Sequence, residues 1–202
     1  MILVLDLDGV VVTGQADGGG RWDRHLERDF KLRPDLLREH LFFTKHWAAI
    51  ITGRADLHET LVRIWPRLNC EGEPRAFMDY WFAADSNVDP GVLALVSNWR
   101  KGGGNVFLAT NQEHYRARHL WDAMALKDHF DGMIYSAEVG AAKPDALYFA
   151  RAFEKLPAAH PSDILFLDDA PANVEAAAAA GWTARLYRNV EDLRAALRDF
   201  KV

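Results

Sequence analysis

The stretch VLDLDGVV, residues 4–11, places two carboxylates two positions apart in an otherwise apolar run near the start of the chain. A continuous apolar run that ends in acids and glycine is typical of a strand buried on both faces of a parallel sheet. Residues two apart in a strand point to the same side, so Asp6 and Asp8 can project together if the extended geometry continues past Leu5. Asp-Gly is also a common turn, so this stretch alone leaves turn chemistry and catalysis both open.

The rest of the chain repeats an alternation of strand-like and helix-like segments. Apolar runs predict strands at 106–109, 133–135, 164–167 and 184–187, and the clearest helical patterns cover 90–100, 146–156 and 172–180. Strands that alternate with helices in this way favour a parallel sheet covered on both faces, with right-handed crossovers. The predicted fold class is therefore α/β, with a Rossmann-like, doubly wound core.

The segment between residues 13 and 85 breaks this alternation. It has few strand-like runs, but it has helix-period segments rich in large aromatic residues. A loop of about 70 residues without structure is improbable in a compact domain. We therefore predict an inserted α-helical cap at 13–85, and an α/β core formed by 1–12 and 86–202.

Three features of the predicted cap bear on its role. Its aromatic residues are expected to be mostly core residues, because large apolar side chains are usually buried. The run Gly18-Gly19-Gly20 predicts a flexible joint at the start of the cap. Trp47 and Arg54 are candidate contacts to a substrate held under the cap.

Composition and charge narrow the classes of partner. Among 202 residues the formal net charge is −5, which gives no electrostatic reason to expect nucleic acid or an anionic membrane. The single cysteine, Cys70, cannot form an internal disulfide and is expected to be a free thiol. The first residues lack the pattern of a signal peptide, and no apolar run approaches the ~20 residues of a membrane span. We expect a cytoplasmic protein.

Polar residues follow several of the predicted strands. Asp168-Asp169 follow the strand at 164–167, Thr110-Asn111 follow the strand at 106–109, and Lys143 lies beyond the strand at 133–135. Ligands bind beyond the carboxyl ends of the strands in open parallel sheets. Acids brought together there would repel unless a hard cation held them, and carboxylate oxygens are ligands that Mg²⁺ prefers. These strand ends predict a magnesium site and favour catalysis over turn chemistry.

Four stretches, DLDGV at 6–10, LATN at 108–111, AAKPD at 141–145 and FLDDAPANVEAAAAAGW at 166–182, resemble the four motifs of the haloacid dehalogenase-like (HAD) superfamily. The stretch SAEVGAAKPDALYF and the pattern DD-xxx-NVE further resemble one branch of it. That branch contains the N-terminal phosphatase domain of soluble epoxide hydrolases and bacterial sugar-phosphate phosphatases.

The resemblance implies roles for the matching residues. Asp6 would be the nucleophile that forms an aspartyl phosphate, and Asp8 the general acid and base. Thr110 and the backbone N–H of Asn111 would bind phosphoryl oxygens, and Lys143 would neutralise charge on the nucleophile and the phosphoryl group.

The resemblance also implies the Mg²⁺ ligands. Asp6, the carbonyl of Asp8 and Asp169 would bind the ion directly, and Asp168 would bind it directly or through water. Asn173, one helical turn onward, would orient the metal site.

These inferences predict a Mg²⁺-dependent phosphatase that acts on a small phosphorylated metabolite, with sugar phosphates among the candidates. The acid at position 8 favours phosphoryl transfer over dehalogenation, because a halide leaves without being protonated. The alternatives are a phosphomutase of the same fold and a catalytically weak binding or regulatory module. A monomer and a homodimer are equally compatible with the sequence.

Other polar residues are assigned no chemistry. The eight histidines show no metal-ligand spacing and are expected to have surface or packing roles. Arg116, Arg118, Arg185 and Arg188 do not form a concentrated basic block, so we predict that they lie on a solvated face.

Overall fold

A parallel five-stranded sheet forms the centre of the molecule. The structure is a computed structural model and describes residues 1–14 and 21–200. The strands pair in the order β3-β2-β1-β4-β5, and every pair is parallel. Their bounds are β1 Ile2–Leu5, β2 Asn105–Thr110, β3 Gly132–Tyr135, β4 Ile164–Asp168 and β5 Thr183–Leu186. The predicted fold class is confirmed, and β1, which precedes the two N-terminal acids, is the central strand.

Helices surround this sheet. The α-helices are α1 Leu26–Phe30, α2 Pro34–Leu37, α3 Lys45–Ile50, α4 Leu57–Ile64, α5 Pro74–Ala84, α6 Pro90–Lys101, α7 His114–Arg118, α8 Ser136–Val139, α9 Ala146–Lys155, α10 Pro171–Ala179 and α11 Val190–Phe200. Short 3₁₀ helices cover Trp22–His25, Trp65–Arg67, Leu126–Asp128 and Pro161–Asp163, and π-helical turns cover Arg38–Phe42 and His119–Ala123. Across 1–14 and 21–200, no helix is both long enough and apolar enough to cross a bilayer. The cytoplasmic location stays a prediction.

The central strand is apolar throughout because both of its faces are covered. Leu3 and Leu5 belong to a cluster with residues of α6 and α11, and Ile2 and Val4 belong to a second cluster with residues of α9 and α10. All four side chains are buried. The core is thus a three-layer α/β/α arrangement. Because both faces of the sheet are apolar, polar groups are left to the edge at which the strands reach their carboxyl ends.

A helical insertion, α1 to α5 with its short 3₁₀ and π-helical turns, lies between β1 and α6 and has a hydrophobic cluster of its own. Phe77 and Trp81 are buried in this cluster, as predicted for most of its aromatic residues, whereas Phe43 is 80% exposed. Cys70 is a free, half-buried thiol, as expected. The predicted joint at Gly18-Gly19-Gly20 lies outside the described residues, and the division into core and cap stays a prediction.

The two connections between core and insertion run side by side. Thr13 donates its backbone N–H to the carbonyl of Asn87 (2.8 Å), and Asn87 donates to the carbonyl of Gly14 (2.9 Å). Val12 forms an antiparallel bridge with Val88. The chain therefore leaves the core and returns to it at one place, next to the end of β1.

Candidate active site

The register of the sheet brings two acids to the same edge. Leu5 of β1 pairs with Leu167 of β4, so Asp6 and Asp168 follow at the same level, and Asp6 donates its backbone N–H to the carbonyl of Leu167 (2.9 Å). Each of Asp6, Asp168 and Asp169 has a carboxylate oxygen within 4.8 Å of the other two. Burial raises the pKa of Asp6 to about 7, with Asp168 adding to the rise and the Lys143 ammonium opposing it.

Lys143 is the cation of this cluster. Its Nζ lies 2.8 Å from Asp6 Oδ1 and 2.6 Å from Asp168 Oδ2, and it donates to the carbonyl of Ala109 (2.8 Å). The side chain is 1% exposed, and these partners use all three of its N–H groups. Three carboxylates with one ammonium leave a formal charge of −2. Oxygen donors with this charge fit a divalent cation such as Mg²⁺.

Asp168 and Asp169 differ in the lone pairs that they can offer. Asn173 Nδ2 donates to both oxygens of Asp168 (3.0 Å each), the N–H of Ala170 donates to Oδ1 (2.8 Å) and Lys143 donates to Oδ2. The lone-pair positions of Asp168 are therefore filled, whereas Asp169 is exposed at the same edge. This geometry favours Asp169 over Asp168 as the direct metal ligand, because Asp168 would have to give up one of these four hydrogen bonds to reach an ion or its water.

Gly9 allows the turn after β1 to pass close to Asp169. Its φ is +85°, a left-handed conformation that costs glycine little. A Cβ at this position would lie 2.3 Å from Asp169 Oδ2, which is too short for any side chain. The glycine of DLDGV thus suits the turn and leaves room for the Asp169 carboxylate, which a Cβ would displace.

The predicted phosphoryl-binding residues lie at the end of β2. Thr110 is its last residue and is buried. Asn111 Nδ2 donates to the carbonyl of Lys143 (2.9 Å), and the N–H of Lys143 donates to Asn111 Oδ1 (2.8 Å). This reciprocal pair fixes the segment that carries Lys143 against the end of β2, so Lys143 is held beside Asp6.

Asp8 has a separate set of partners. Gln112 Nε2 donates to Asp8 Oδ2, and an Arg116 Nη donates to Asp8 Oδ1 (2.8 Å). The same nitrogen of Arg116 lies 2.9 Å from an Asp85 carboxylate oxygen. Gln112, Arg116 and Asp85 were not predicted as site residues from the sequence, because their contacts join segments far apart in the chain.

The prediction that Arg116 lies on a solvated face is wrong. Its side chain is 2% exposed, because α7 presents it to the two carboxylates of Asp8 and Asp85. The surface or packing roles of the histidines stay a prediction. Within the described part of the chain, the metal-binding group contains no histidine.

A cavity of about 380 Å³ lies between the insertion and this edge of the core. Trp47 lines it, and its contact with a substrate stays a prediction. Arg54 does not line it, because its exposed guanidinium is directed to the hydroxyl of Thr52 (3.0 Å). The lining residues are Asp8, Arg21, Trp22, Asp23, Pro34, Leu37, Arg38, Phe42, Phe43, Trp47, Trp81, Asp85, Asn111, Gln112 and Arg116.

Comparison with known families identifies the chain. A model of the haloacid dehalogenase-like hydrolases matches residues 1–181. The chain belongs to this family. The HAD-like assignment confirms the superfamily resemblance of the four motifs, whereas the finer branch stays a prediction. No curated protein matches the chain.

Solved structures share the fold of this HAD-like hydrolase. A predicted HAD-like family hydrolase from Porphyromonas gingivalis is 19% identical, with a TM-score of 0.75 and coverage of 99% of this chain and 97% of that one. A HAD family enzyme from Bacteroides thetaiotaomicron, in complex with magnesium and inorganic phosphate, is 18% identical (TM-score 0.73, 92% of each chain). L-2-haloacid dehalogenase from Xanthobacter autotrophicus, with chloropropionic acid covalently bound, is 19% identical (TM-score 0.65, 98% and 82%).

Proposed function

We propose that this HAD-like hydrolase is a Mg²⁺-dependent phosphatase that hydrolyses a small phosphate monoester through an aspartyl-phosphate intermediate. The observation that carries the proposal is the carboxylate cluster of Asp6, Asp168 and Asp169 with the buried Lys143. Its donors are oxygens and its charge suits a divalent cation. The magnesium and inorganic phosphate bound to the Bacteroides thetaiotaomicron enzyme support this assignment.

The first half-reaction forms the intermediate on Asp6. An oxygen of the Asp6 carboxylate attacks phosphorus, the bond from phosphorus to the ester oxygen breaks, and Asp8 gives its proton to the departing alkoxide. Thr110 and the backbone N–H of Asn111 hold the phosphoryl oxygens, and the ammonium of Lys143, 2.8 Å from Asp6 Oδ1, neutralises charge on the nucleophile and the phosphoryl group. Asp6, Asp169 and the carbonyl of Asp8 would hold Mg²⁺, which would supply positive charge to the phosphoryl group and the nucleophile.

The second half-reaction releases phosphate. Asp8, now ionised, takes a proton from a water molecule as that water attacks the phosphorus of the aspartyl phosphate. The bond between phosphorus and Asp6 breaks, which restores both carboxyl groups and yields an alcohol and inorganic phosphate.

Asp8 is the residue that favours phosphoryl transfer over dehalogenation. Its carboxylate lines the cavity and is 48% exposed, so it is accessible to a substrate. An alkoxide leaving group needs a proton and a halide does not. A carboxyl group in the cavity is therefore useful for cleavage of an ester and unnecessary for release of a halide.

The test is release of inorganic phosphate from phenyl phosphate in excess Mg²⁺, with Asp6→Asn as the control. We expect turnover by the wild type, and phosphoenzyme accumulation or strongly slowed turnover by Asp8→Asn. No turnover above the Asp6→Asn level, in folded protein, would overturn the proposal. Conversion of a hexose phosphate to its positional isomer would instead indicate a phosphomutase, and Mg²⁺ binding without turnover of a broad ester panel would indicate a binding module.

A further inference from the structure

Arg116 is a buried charge that the proposed mechanism does not yet use. Its side chain carries a positively charged guanidinium and is 2% exposed. Removing such a charge from water costs several kcal/mol unless other groups compensate it. A guanidinium this deeply buried is therefore unlike an exposed surface ion pair, which contributes little to stability.

The compensating groups come from two distant parts of the chain. Arg116 pairs with Asp8 Oδ1 (2.8 Å) and with Asp85 Oδ2 (2.9 Å), and it also donates to the carbonyl of Asp85 (3.2 Å). Asp85 directly follows α5, where the insertion returns to the core. Arg116 thus connects the end of the insertion with the carboxylate that faces the cavity.

The backbone around Arg116 is also fixed. Glu113 caps the start of α7, because its carboxylate accepts the N–H groups of Tyr115 (2.8 Å) and Arg116. Glu113 is itself buried. Arg116 is therefore held at its backbone by the cap of α7 and at its guanidinium by Asp85.

Asp8 needs such support because its side chain is half exposed. Among residues 1–14 and 21–200, each of its oxygens accepts one hydrogen bond, Oδ1 from Arg116 and Oδ2 from Gln112. A carboxylate oxygen has two lone pairs, so each oxygen keeps one for a proton or a water molecule. Two fixed donors restrict rotation of the carboxylate and leave one lone pair on each oxygen for a proton or a water molecule.

We propose that Arg116, anchored by Asp85, is a positioning residue that holds the Asp8 carboxylate in the orientation required for proton transfer. The inference rests on the proposed function, since it concerns the acid and base of that reaction. It predicts that loss of Arg116 impairs the steps that need a proton and spares the step that needs none. A purely structural ion pair would affect both kinds of step alike.

The experiment compares two substrates of similar shape, phenyl phosphate and dinitrophenyl phosphate. The phenolate that leaves phenyl phosphate needs a proton, and the dinitrophenolate does not. The measured quantity is kcat/KM, which for both esters reports formation of the phosphoenzyme and excludes its later hydrolysis. The variant is Arg116→Ala, and the matched control is Arg118→Ala, which removes an exposed arginine from the same helix.

We expect Arg116→Ala to lower kcat/KM for phenyl phosphate by at least about 10-fold, within the 10²–10⁴-fold that general acid catalysis supplies. For dinitrophenyl phosphate the loss should stay below about 3-fold, and Arg118→Ala should change neither value. Equal losses for the two substrates, or no loss for phenyl phosphate, would overturn the proposal.

Two further measurements separate the possible failures. If the wild type does not exceed Asp6→Asn on either ester, the proposed function fails and this inference fails with it; an active wild type with equal losses rejects Arg116 alone. If Arg116→Ala does not fold, as judged by its thermal unfolding transition, Arg116→Lys takes its place. Lysine keeps the charge but lacks the second terminal nitrogen, with which Arg116 also donates to the carbonyl of Asp85, so the same selective loss is expected at smaller magnitude. Equal losses in Arg116→Lys reject the proposal.

Discussion

Gly9 and Asp169 illustrate how closely the residues of the candidate metal site are packed. The turn after β1 passes so close to Asp169 that a Cβ at position 9 would lie 2.3 Å from its Oδ2. A side chain at position 9 would displace the carboxylate that we assign as a direct ligand.

Gly9→Ala should therefore weaken Mg²⁺ binding at least about tenfold, in addition to the ~1–2 kcal/mol cost of the left-handed conformation. Gly103→Ala is a matched control, because Gly103 has nearly the same φ (+84°) and a Cβ added there would meet no atom within 4 Å. Titration calorimetry with Mg²⁺ and urea unfolding separate the two effects. Equal Mg²⁺ affinities in the two variants would refute the role given to this contact.

Asn173 acts on the site through Asp168. Its amide donates to both Asp168 oxygens, so Asn173→Ala removes these hydrogen bonds from a buried carboxylate. Removal of such a partner of a metal-site residue typically costs 10–100-fold in affinity or activity, and we expect a loss of Mg²⁺ affinity in that range. Asn98→Ala, an exposed asparagine on α6, is the control and should bind Mg²⁺ as the wild type does.

At the scale of elements, the insertion supplies most of the cavity wall and the sheet supplies the carboxylates. Phe43 lines the cavity from the insertion, although it is 80% exposed. It can therefore be removed without loss of core packing. A substitution at Phe43 can therefore test contact with a substrate without changing the stability of the fold.

Phe43→Ala should lower kcat/KM for phenyl phosphate several-fold and leave inhibition by inorganic phosphate unchanged, because phosphate alone has no group that reaches the insertion. Val62→Ala, at an exposed position on α4 outside the cavity, should change neither value. An equal effect of Phe43→Ala on the ester and on phosphate would mean that the insertion does not select the leaving group.

The elements also show which parts of the fold the sequence predicts. The strands and the helices α6, α9 and α10 were predicted to within a residue or two, because apolar runs and cap residues are local signals, whereas α11, which packs on the same sheet, was not predicted. Asp89, for example, accepts the N–H of Gly91 (2.7 Å) at the start of α6, as an N-cap aspartate should. The irregular turns of the insertion have neither signal. For this segment the sequence predicted helical structure without helix boundaries.

At the scale of the whole molecule, the candidate metal site couples stability to magnesium. A ligand that binds only the folded state at 100 times its Kd adds about 2.7 kcal/mol. We expect Mg²⁺ to raise the Tm of the wild type and to have a much smaller effect on Asp169→Asn. With a chelator present, Asp169→Asn should be at least as stable as the wild type, because it removes a like charge from the cluster. Thermal unfolding with and without Mg²⁺ tests both statements.

The candidate site was predictable where its residues follow strands and unpredictable where they do not. Asp6, Thr110, Lys143 and Asp168 lie at strand ends or in motifs, and the register of the sheet brings their segments to one edge. Arg116 carried no such signal, because its partner Asp8 is 108 residues away and α7 is short and rich in charge. Only the folded chain shows that this arginine is an interior residue.

The paired connections at residues 11–14 and 87–89 have a consequence for how this architecture diversifies. Because the insertion leaves and re-enters the core at neighbouring points, its two ends stay joined whatever lies between them. A segment of different length or sequence can be grafted onto these two points without moving a strand or a carboxylate. Substrate choice and the proposed phosphoryl chemistry can thus evolve at different rates within one chain.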